Sequence, residues 1–257
     1  MTAENAQDFY DDFSDDYQLI YPDWQESTQR QGGEISRLIG RLKGPDVDSV
    51  LDCSCGIGTQ AVGLALEGFT VRATDISPKA VARAAASAAA MGAEVTFGTA
   101  DFRYLDQQVD GSFDVVLSFE NSVAHMLTDE DLAMAFAAMK AKLAPGGLLL
   151  VSVRDYGAYW RERRPGTIPR TMDLGGRKRV YFQTWEWQSD APVYTSEFFV
   201  LKQTDHGWDV KSGRTTLRAL AKEALLDLLK EAGYQDIAWH PPTDSGYHQP
   251  VISARNN

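Results

Sequence analysis

Between residues 49 and 153 short apolar runs alternate with helical patterns, and few folds accommodate such a rhythm. Residues 49–53 read as a first buried strand, followed by a glycine turn and a helix to about Glu67. Residues 70–74 read as a second strand. Ser77-Pro78 then opens an alanine-rich helix that runs to Met91, with serine as its cap and proline in its first position. Residues 94–97 and 113–118 read as the third and fourth strands. A helix over 129–143 stops at Pro145-Gly146-Gly147, and 148–153 is an unbroken apolar fifth strand, as expected inside a parallel sheet. Strands alternating with helices predict an α/β chain, with helices on both faces of the sheet.

After the fifth strand the rhythm changes. Residues 180–187, 194–203 and 208–217 read as three strands joined by Ser189-Asp190-Ala191-Pro192 and Asp205-His206-Gly207, a small antiparallel insertion. A helix over 220–232, capped by Gly233, and strands 237–240 and 251–254 complete the main sheet. The expectation is a Rossmann-like, seven-stranded, mainly parallel sheet in one domain over 1–257, with a small antiparallel β insertion after strand five. Residues 1–30 form its helical cap and 178–218 an inserted lid. Tyr10, Phe13, Tyr17, Tyr21 and Trp24, spaced by three and four, place one aromatic face on the N-terminal helix among Asp8, Asp11, Asp12, Asp15 and Asp16. Core packing is the commoner use of such a stripe, and a roof over a ligand is the other. The basic stretch 161–179, broken by Pro165, Gly166, Pro169 and Gly175, reads as a loop.

The 25 Lys and Arg against 36 Asp and Glu leave a net charge of −11, which opposes binding to nucleic acid by phosphate neutralisation. No apolar run approaches the roughly 18 residues of a membrane span, and the N-terminus is acidic, so neither a span nor a signal peptide is expected. Cys53 and Cys55 are the only cysteines. They exclude a disulfide framework, and the expected location is the cytoplasm. At an alternating strand end the two would point the same way, yet no further Cys or clustered His supplies a tetrahedral site. They read as small packing residues, and no metal is expected.

Gly56, Gly58 and Ala61 satisfy the G-x-G-x-x-A dinucleotide pattern, and Asp75 ends the second strand where a ribose would be held. On these residues alone a nicotinamide oxidoreductase stays open. Asp52, four residues before Gly56, changes the balance: its charge would repel a pyrophosphate and attract an amino group and a sulfonium. Asp101-Phe102 after the third strand, Phe113-Asp114-Val115-Val116 in the fourth and Leu143-Ala144-Pro145-Gly146-Gly147 before the fifth extend the series. Over about 49–155 it resembles the class I S-adenosylmethionine-dependent methyltransferases. The resemblance implies S-adenosyl-L-methionine as cofactor and S-adenosyl-L-homocysteine as product. It puts Asp52 near the methionine amino group, Asp75 on the ribose diol, and Asp101 with Phe102 at the adenine. Ser54, Gly56, Gly58, Ile76, Phe119 and Tyr17 complete the expected cofactor set.

In an open α/β sheet the ligand lies outside the carboxyl ends of the strands. The fourth strand ends in Phe119-Glu120-Asn121-Ser122-Val123-Ala124-His125-Met126 and the fifth in Val153-Arg154-Asp155-Tyr156. No Asn/Asp-Pro-Pro-Tyr/Phe follows the fourth strand, which argues against methylation of DNA bases. Asn121-Ser122 with His125, and Arg154-x-Tyr156, resemble the glycine and sarcosine N-methyltransferases, although Glu120 stands where the glycine enzymes carry glycine. The resemblance implies Arg154 as a carboxylate clamp, Asn121 as an amine contact, and Tyr21 or Tyr156 as pocket hydroxyls. Asn121, Glu120 and Tyr21 are thus the expected catalytic residues, and Arg154, Tyr156, Trp24 and His125 the expected substrate contacts. Glu120 and Asp155 could bind a cationic substrate or relay its proton. In metal-assisted O-methylation they would instead hold Mg²⁺. The expected activity is methyl transfer to a nitrogen of a small amine or amino-acid-like metabolite. O-methylation and non-catalytic cofactor binding are the alternatives, and the oligomeric state is open.

Overall fold

The structure, a computed structural model, describes residues 3–256. β1 (Ser49–Asp52), β2 (Thr70–Asp75), β3 (Val95–Thr99), β4 (Phe113–Ser118) and β5 (Leu143–Ser152) are parallel members of a sheet ordered β10-β11-β5-β4-β1-β2-β3. β10 (Gln235–His240) and β11 (Val251–Arg255) form its last hairpin, and β11 runs antiparallel to both neighbours. The chain leaves β1 toward β2 on one side and reaches β4 on the other. That reversal opens a crevice at the carboxyl ends.

The period-two alternation of the strands divides the core into two layers. Leu51, Val116, Leu149 and Val151 face α6 (Asp129–Ala141) and α8 (Lys222–Glu231), where Phe136 and Leu225 meet them. Val50, Val115, Leu117, Leu148 and Leu150 face the other way, onto Ile35, Leu38 and Ile39. Those three belong to α2 (Trp24–Lys43), which follows α1 (Ala3–Tyr17). The N-terminal helical region thus extends well past residue 30. Gly32 and Gly33 weaken the helical pattern there, but Gly32 is what the packing requires. A Cβ on it would collide with the backbone of Gly63 in α3 (Thr59–Leu66). α4 (Pro78–Met91) begins as its serine cap and proline foretell, with Ser77 Oγ accepting the Ala80 N–H at 3.0 Å.

The second sheet has four antiparallel strands, β6 (Arg170–Leu174), β7 (Arg177–Trp187), β8 (Val193–Thr204) and β9 (Gly207–Arg218), one more than the pattern suggested. The stretch expected as a loop contains β6 and the start of β7. Gly175 and Gly176, both at positive φ (65° and 85°), supply the two-residue hairpin turn between them. α5 (Leu105–Gln108), α7 (Tyr156–Glu162) and α9 (Pro242–Ser245) are short connecting turns. No helix among the described residues is long and apolar enough to cross a membrane.

α1 bridges the two sheets. Phe9 and Phe13 are buried against Phe198 and Val200 of β8, and Gly213 of β9 leaves the socket for them. A Cβ on Gly213 would stand 2.9 Å from the Phe9 ring. Asp16 pairs with Lys202 of β8 at 2.6 Å, and Asp11 accepts the hydroxyl proton of Ser77, the cap of α4, at 2.5 Å. One helix is thereby tied to the roof and to the cofactor side of the crevice.

Candidate active site

Beneath α1, at the carboxyl ends of β1, β2 and β4, lies a cleft of about 870 Å³ including its mouth. Its inner wall is the turn after β1. Gly56 has a φ of 51°, and a Cβ there would meet nothing within 4 Å, so the backbone is bare toward the cleft. Asp75 accepts the Gly56 N–H at 2.8 Å and the Ser77 N–H at 3.0 Å, one on each oxygen. Burial pushes its pKa up against these two bonds. Ser54 shares a 2.9 Å hydrogen bond with Ser118 and also lines the cleft, as do Ile76, Asp101 and Phe102. Asp101 is held by Arg103 at 2.6 Å, which in turn pairs with Asp131 at 2.8 Å, so this corner is braced.

Three residues expected at the cofactor do not line the cleft. Asp52 lies under the turn, 1% exposed, and does not line the cleft. Its Oδ1 accepts the Ser54 N–H at 3.2 Å, its Oδ2 meets no donor, and burial drives its pKa up to about 8. Gly58 packs on α4 instead, where a Cβ would be 3.1 Å from that of Ala84. Phe119 is a core residue edge-on to Tyr247, with ring centroids 4.9 Å apart. The cysteines diverge as well: the strand ends at Asp52, and Cys53 and Cys55 join opposite core layers.

The acceptor side begins where β4 ends. Glu120 and Asn121 are consecutive non-glycine residues at positive φ, 57° and 69°. Such backbone is held only by its surroundings. Here the Glu120 N–H donates to Ser152 Oγ at 2.8 Å and the Asn121 N–H to the Ser152 carbonyl at 3.1 Å. The Asn121 side chain is held at both of its ends: Nδ2 donates to the Tyr156 hydroxyl at 2.8 Å and Oδ1 accepts the Arg154 N–H at 3.1 Å. It does not line the cleft, and its geometry is that of a brace rather than an amine contact. Tyr156, 2% exposed, is likewise internal and bonds Tyr194 at 2.8 Å. Trp24 hangs from Thr59 by its indole N–H (3.0 Å) outside the lining, and Asp155 caps α7 through Gly157.

Glu120, Tyr17, Tyr21 and His125 do face the cleft. Burial holds His125 neutral, with its pKa lowered to about 4, and its Nε2 is 3.2 Å from the Tyr10 hydroxyl. Arg154 lies one layer behind, its charge acting on Tyr10, His125 and Glu120. It contacts Gln183 Oε1 at 3.3 Å and the Tyr194 hydroxyl at 3.5 Å and rides over the Trp185 ring. Burial alone would lower its pKa, but the surrounding tyrosine hydroxyls keep it raised, so it stays cationic. Among the described residues no carboxylate comes within ion-pairing distance of it. Sequence reasoning did not single out Gln183, Tyr194, Tyr247 or His248. Tyr247 and His248 both bond Glu120 from 127 and 128 positions along the chain, a separation no local pattern signals.

Residues 50–147 match the methyltransferase domain family. A glycine/sarcosine N-methyltransferase of Parasynechococcus marenigrum (strain WH8102) is 33% identical over 155 residues, 60% of this chain and 54% of that protein. A glycine/sarcosine/dimethylglycine N-methyltransferase of Actinopolyspora halophila is 27% identical over 218 residues, 84% of this chain and 36% of that protein. The chain thus aligns with only about half and about a third of these relatives. Among solved structures, the SAM-bound amino pentose methyltransferase of Micromonospora echinaspora superposes with a TM-score of 0.75 at 21% identity, over 90% of this chain and 92% of that one. At that identity the likeness is one of fold.

Proposed function

Since the chain belongs to the class I S-adenosylmethionine-dependent methyltransferases, we propose that it methylates a nitrogen of a small, amine-bearing metabolite with a carboxylate elsewhere. S-adenosylmethionine supplies an electrophilic methyl on a sulfonium. Two features suit its binding: the bare backbone at Gly56 and the partnerless buried Oδ2 of Asp52, an oxygen that an ammonium would satisfy. Asp75 would hold the ribose diol, and Asp101 with Phe102 the adenine.

The observation that carries the acceptor assignment is a pair of charges, Glu120 on the cleft wall and Arg154 one layer behind it. A cationic Arg154 without a carboxylate partner stands close enough to an anionic Glu120 for each to feel the other. An acceptor carrying both an amine and a carboxylate complements that pair. Arg154 would take the carboxylate in a bidentate grip, Glu120 would face the amine, and Tyr10, Tyr17 and Tyr21 would exclude water. Fixing nucleophile and electrophile in line supplies about 7–11 kcal/mol toward the barrier. The net charge of −11 speaks against a nucleic-acid substrate, and two free buried thiols accord with a cytoplasmic location.

The N-methyltransferases among the relatives support nitrogen over oxygen. One observation favours the second reading, O-methylation: His125 is a neutral imidazole at the cleft, able to take a hydroxyl proton. Incubation with methyl-labelled S-adenosylmethionine and glycine, sarcosine, an amino sugar and a hydroxy acid, read by product mass, decides between them. Label on amines supports the proposal. Label only on the hydroxy acid overturns it in favour of O-methylation, and binding without transfer overturns both.

A further inference from the structure

The loop between α9 and β11 brings three consecutive side chains to Glu120. Tyr247 donates its hydroxyl to Glu120 Oε1, His248 Nε2 lies 3.1 Å from the same oxygen, and Gln249 Nε2 is 3.4 Å from Oε2. Gln249 also accepts from Ser152 Oγ at 3.2 Å, the group that receives the strained Glu120 N–H. Two non-glycine residues at positive φ and an anchoring loop thus fix one carboxylate. That carboxylate lines the cleft with a quarter of its side chain exposed, while the imidazole beside it has 44% of its side chain in solvent.

We propose that Glu120 and His248 form the proton outlet of the acceptor site, with His248 passing to water the proton that the acceptor amine gives up. The inference rests on the amine-methylation reading. Methylation leaves the acceptor nitrogen with one proton more than its neutral product carries. That proton moves to a Glu120 oxygen, from there to His248 Nε2, and the imidazolium releases a proton to bulk water, which regenerates both groups. No other reactant is required.

The groups facing Glu120 define its state. Arg154 from the end of β5, Tyr10 and Tyr17 of α1, Tyr21 before α2, Tyr181 of β7 and Tyr247 and His248 of the last loop all act on it. Burial raises its pKa, but His248, Tyr247 and Arg154 outweigh burial and hold it below the usual carboxylate range. Glu120 therefore carries a proton only in transit. The imidazole, which reaches both Glu120 and solvent, is the fitting terminus. His125 is enclosed, bonded to Tyr10 and uncharged down to about pH 4, so it offers no comparable path to solvent.

The test uses the full chain and the best amine acceptor from the labelling panel. His248→Ala should lower kcat at least tenfold, leave KM for the acceptor within threefold, and regain turnover when imidazole is added to the buffer. His248→Gln, which keeps a hydrogen bond to Glu120 but cannot carry the proton, should be equally slow and lose the acidic limb of the pH–rate profile. A merely structural role would give a slow His248→Ala, no rescue, and an active His248→Gln, and that result overturns the proposal. Wild-type turnover in both variants overturns it too. If wild type binds S-adenosylmethionine but methylates no amine, the functional reading falls and takes the outlet with it. An active wild type with unaffected variants removes the outlet alone.

Discussion

Gln183→Glu exchanges one atom and should disable the carboxylate clamp while leaving the fold in place. Gln183 is 2% exposed on β7, and its Oε1 accepts from Arg154 at 3.3 Å, Trp185 Nε1 at 3.1 Å and Ser196 Oγ at 3.2 Å. Its Nε2 donates to the Tyr181 hydroxyl, which can reverse and donate to a carboxylate instead. A carboxylate at this point finds three donors ready. At 3.3 Å and an effective dielectric of about 20, its attraction to the guanidinium is roughly 5 kcal/mol before desolvation is charged against it. A cation already neutralised from behind loses most of its pull on an incoming acid, and a charge-assisted contact of about 1.5–3 kcal/mol is what the acceptor forfeits. KM for a carboxylate-bearing acceptor should rise roughly 10- to 150-fold. Affinity for S-adenosylhomocysteine should stay within a factor of two, because Asp75 and Gly56 are untouched. Initial rates against acceptor concentration and titration calorimetry with S-adenosylhomocysteine read the two quantities. An unchanged KM, in a variant that melts like wild type, would show that Arg154 does not hold the acceptor.

Asp75→Ala removes the oxygens that accept Gly56 and Ser77 and face the cleft, so S-adenosylhomocysteine affinity should fall by about 1–3 kcal/mol in calorimetry. Asp52, with its pKa raised to about 8, is largely protonated at pH 7. An ammonium at its Oδ2 would favour the charged form, so cofactor binding should release a proton, seen as a dependence of binding heat on buffer ionisation enthalpy. A buffer-independent heat would exclude that contact. His125, lowered to about 4, takes up its proton more readily when unfolded. Stability should therefore fall as pH drops from about 6.5 to about 4, by roughly 3 kcal/mol, and urea melts of His125→Gln should show a flatter dependence. Gly213→Val fills the socket of Phe9 and Phe13 and should cost about 1–3 kcal/mol in the same melts.

What the chain disclosed in advance follows the range of the forces involved. The strands of the main sheet are short apolar runs, and Ser77-Pro78 announces α4 within four residues, so both were readable locally. β6 was not, because Arg170, Thr171 and Asp173 hide its alternation and only its pairing with β7 makes it a strand. The turn at Gly56 and the carboxylate of Asp75 are local, and both lie where the pattern put them. The acceptor end is non-local. Whether Asn121 touches a ligand or braces a loop depends on Tyr156 and on the N–H of Arg154, more than thirty residues away. The partners of Glu120 lie farther still. Backbone strain at Glu120 has no sequence signature, and Asn121, a residue type that tolerates positive φ, gives only a weak one.

The docking of α1 also governs traffic. Ala6, Tyr10, Ser14 and Tyr17 on one side of that helix close the cleft, while Phe9 and Phe13 on another are sunk in the roof. Displacing this wall would require both phenyl rings to leave their socket. Exposing them costs about 3–6 kcal/mol, so the open form is present about one part in a hundred to one part in ten thousand. A helix that is at once a cleft wall and a core anchor couples any opening of the cleft to the unpacking of Phe9 and Phe13.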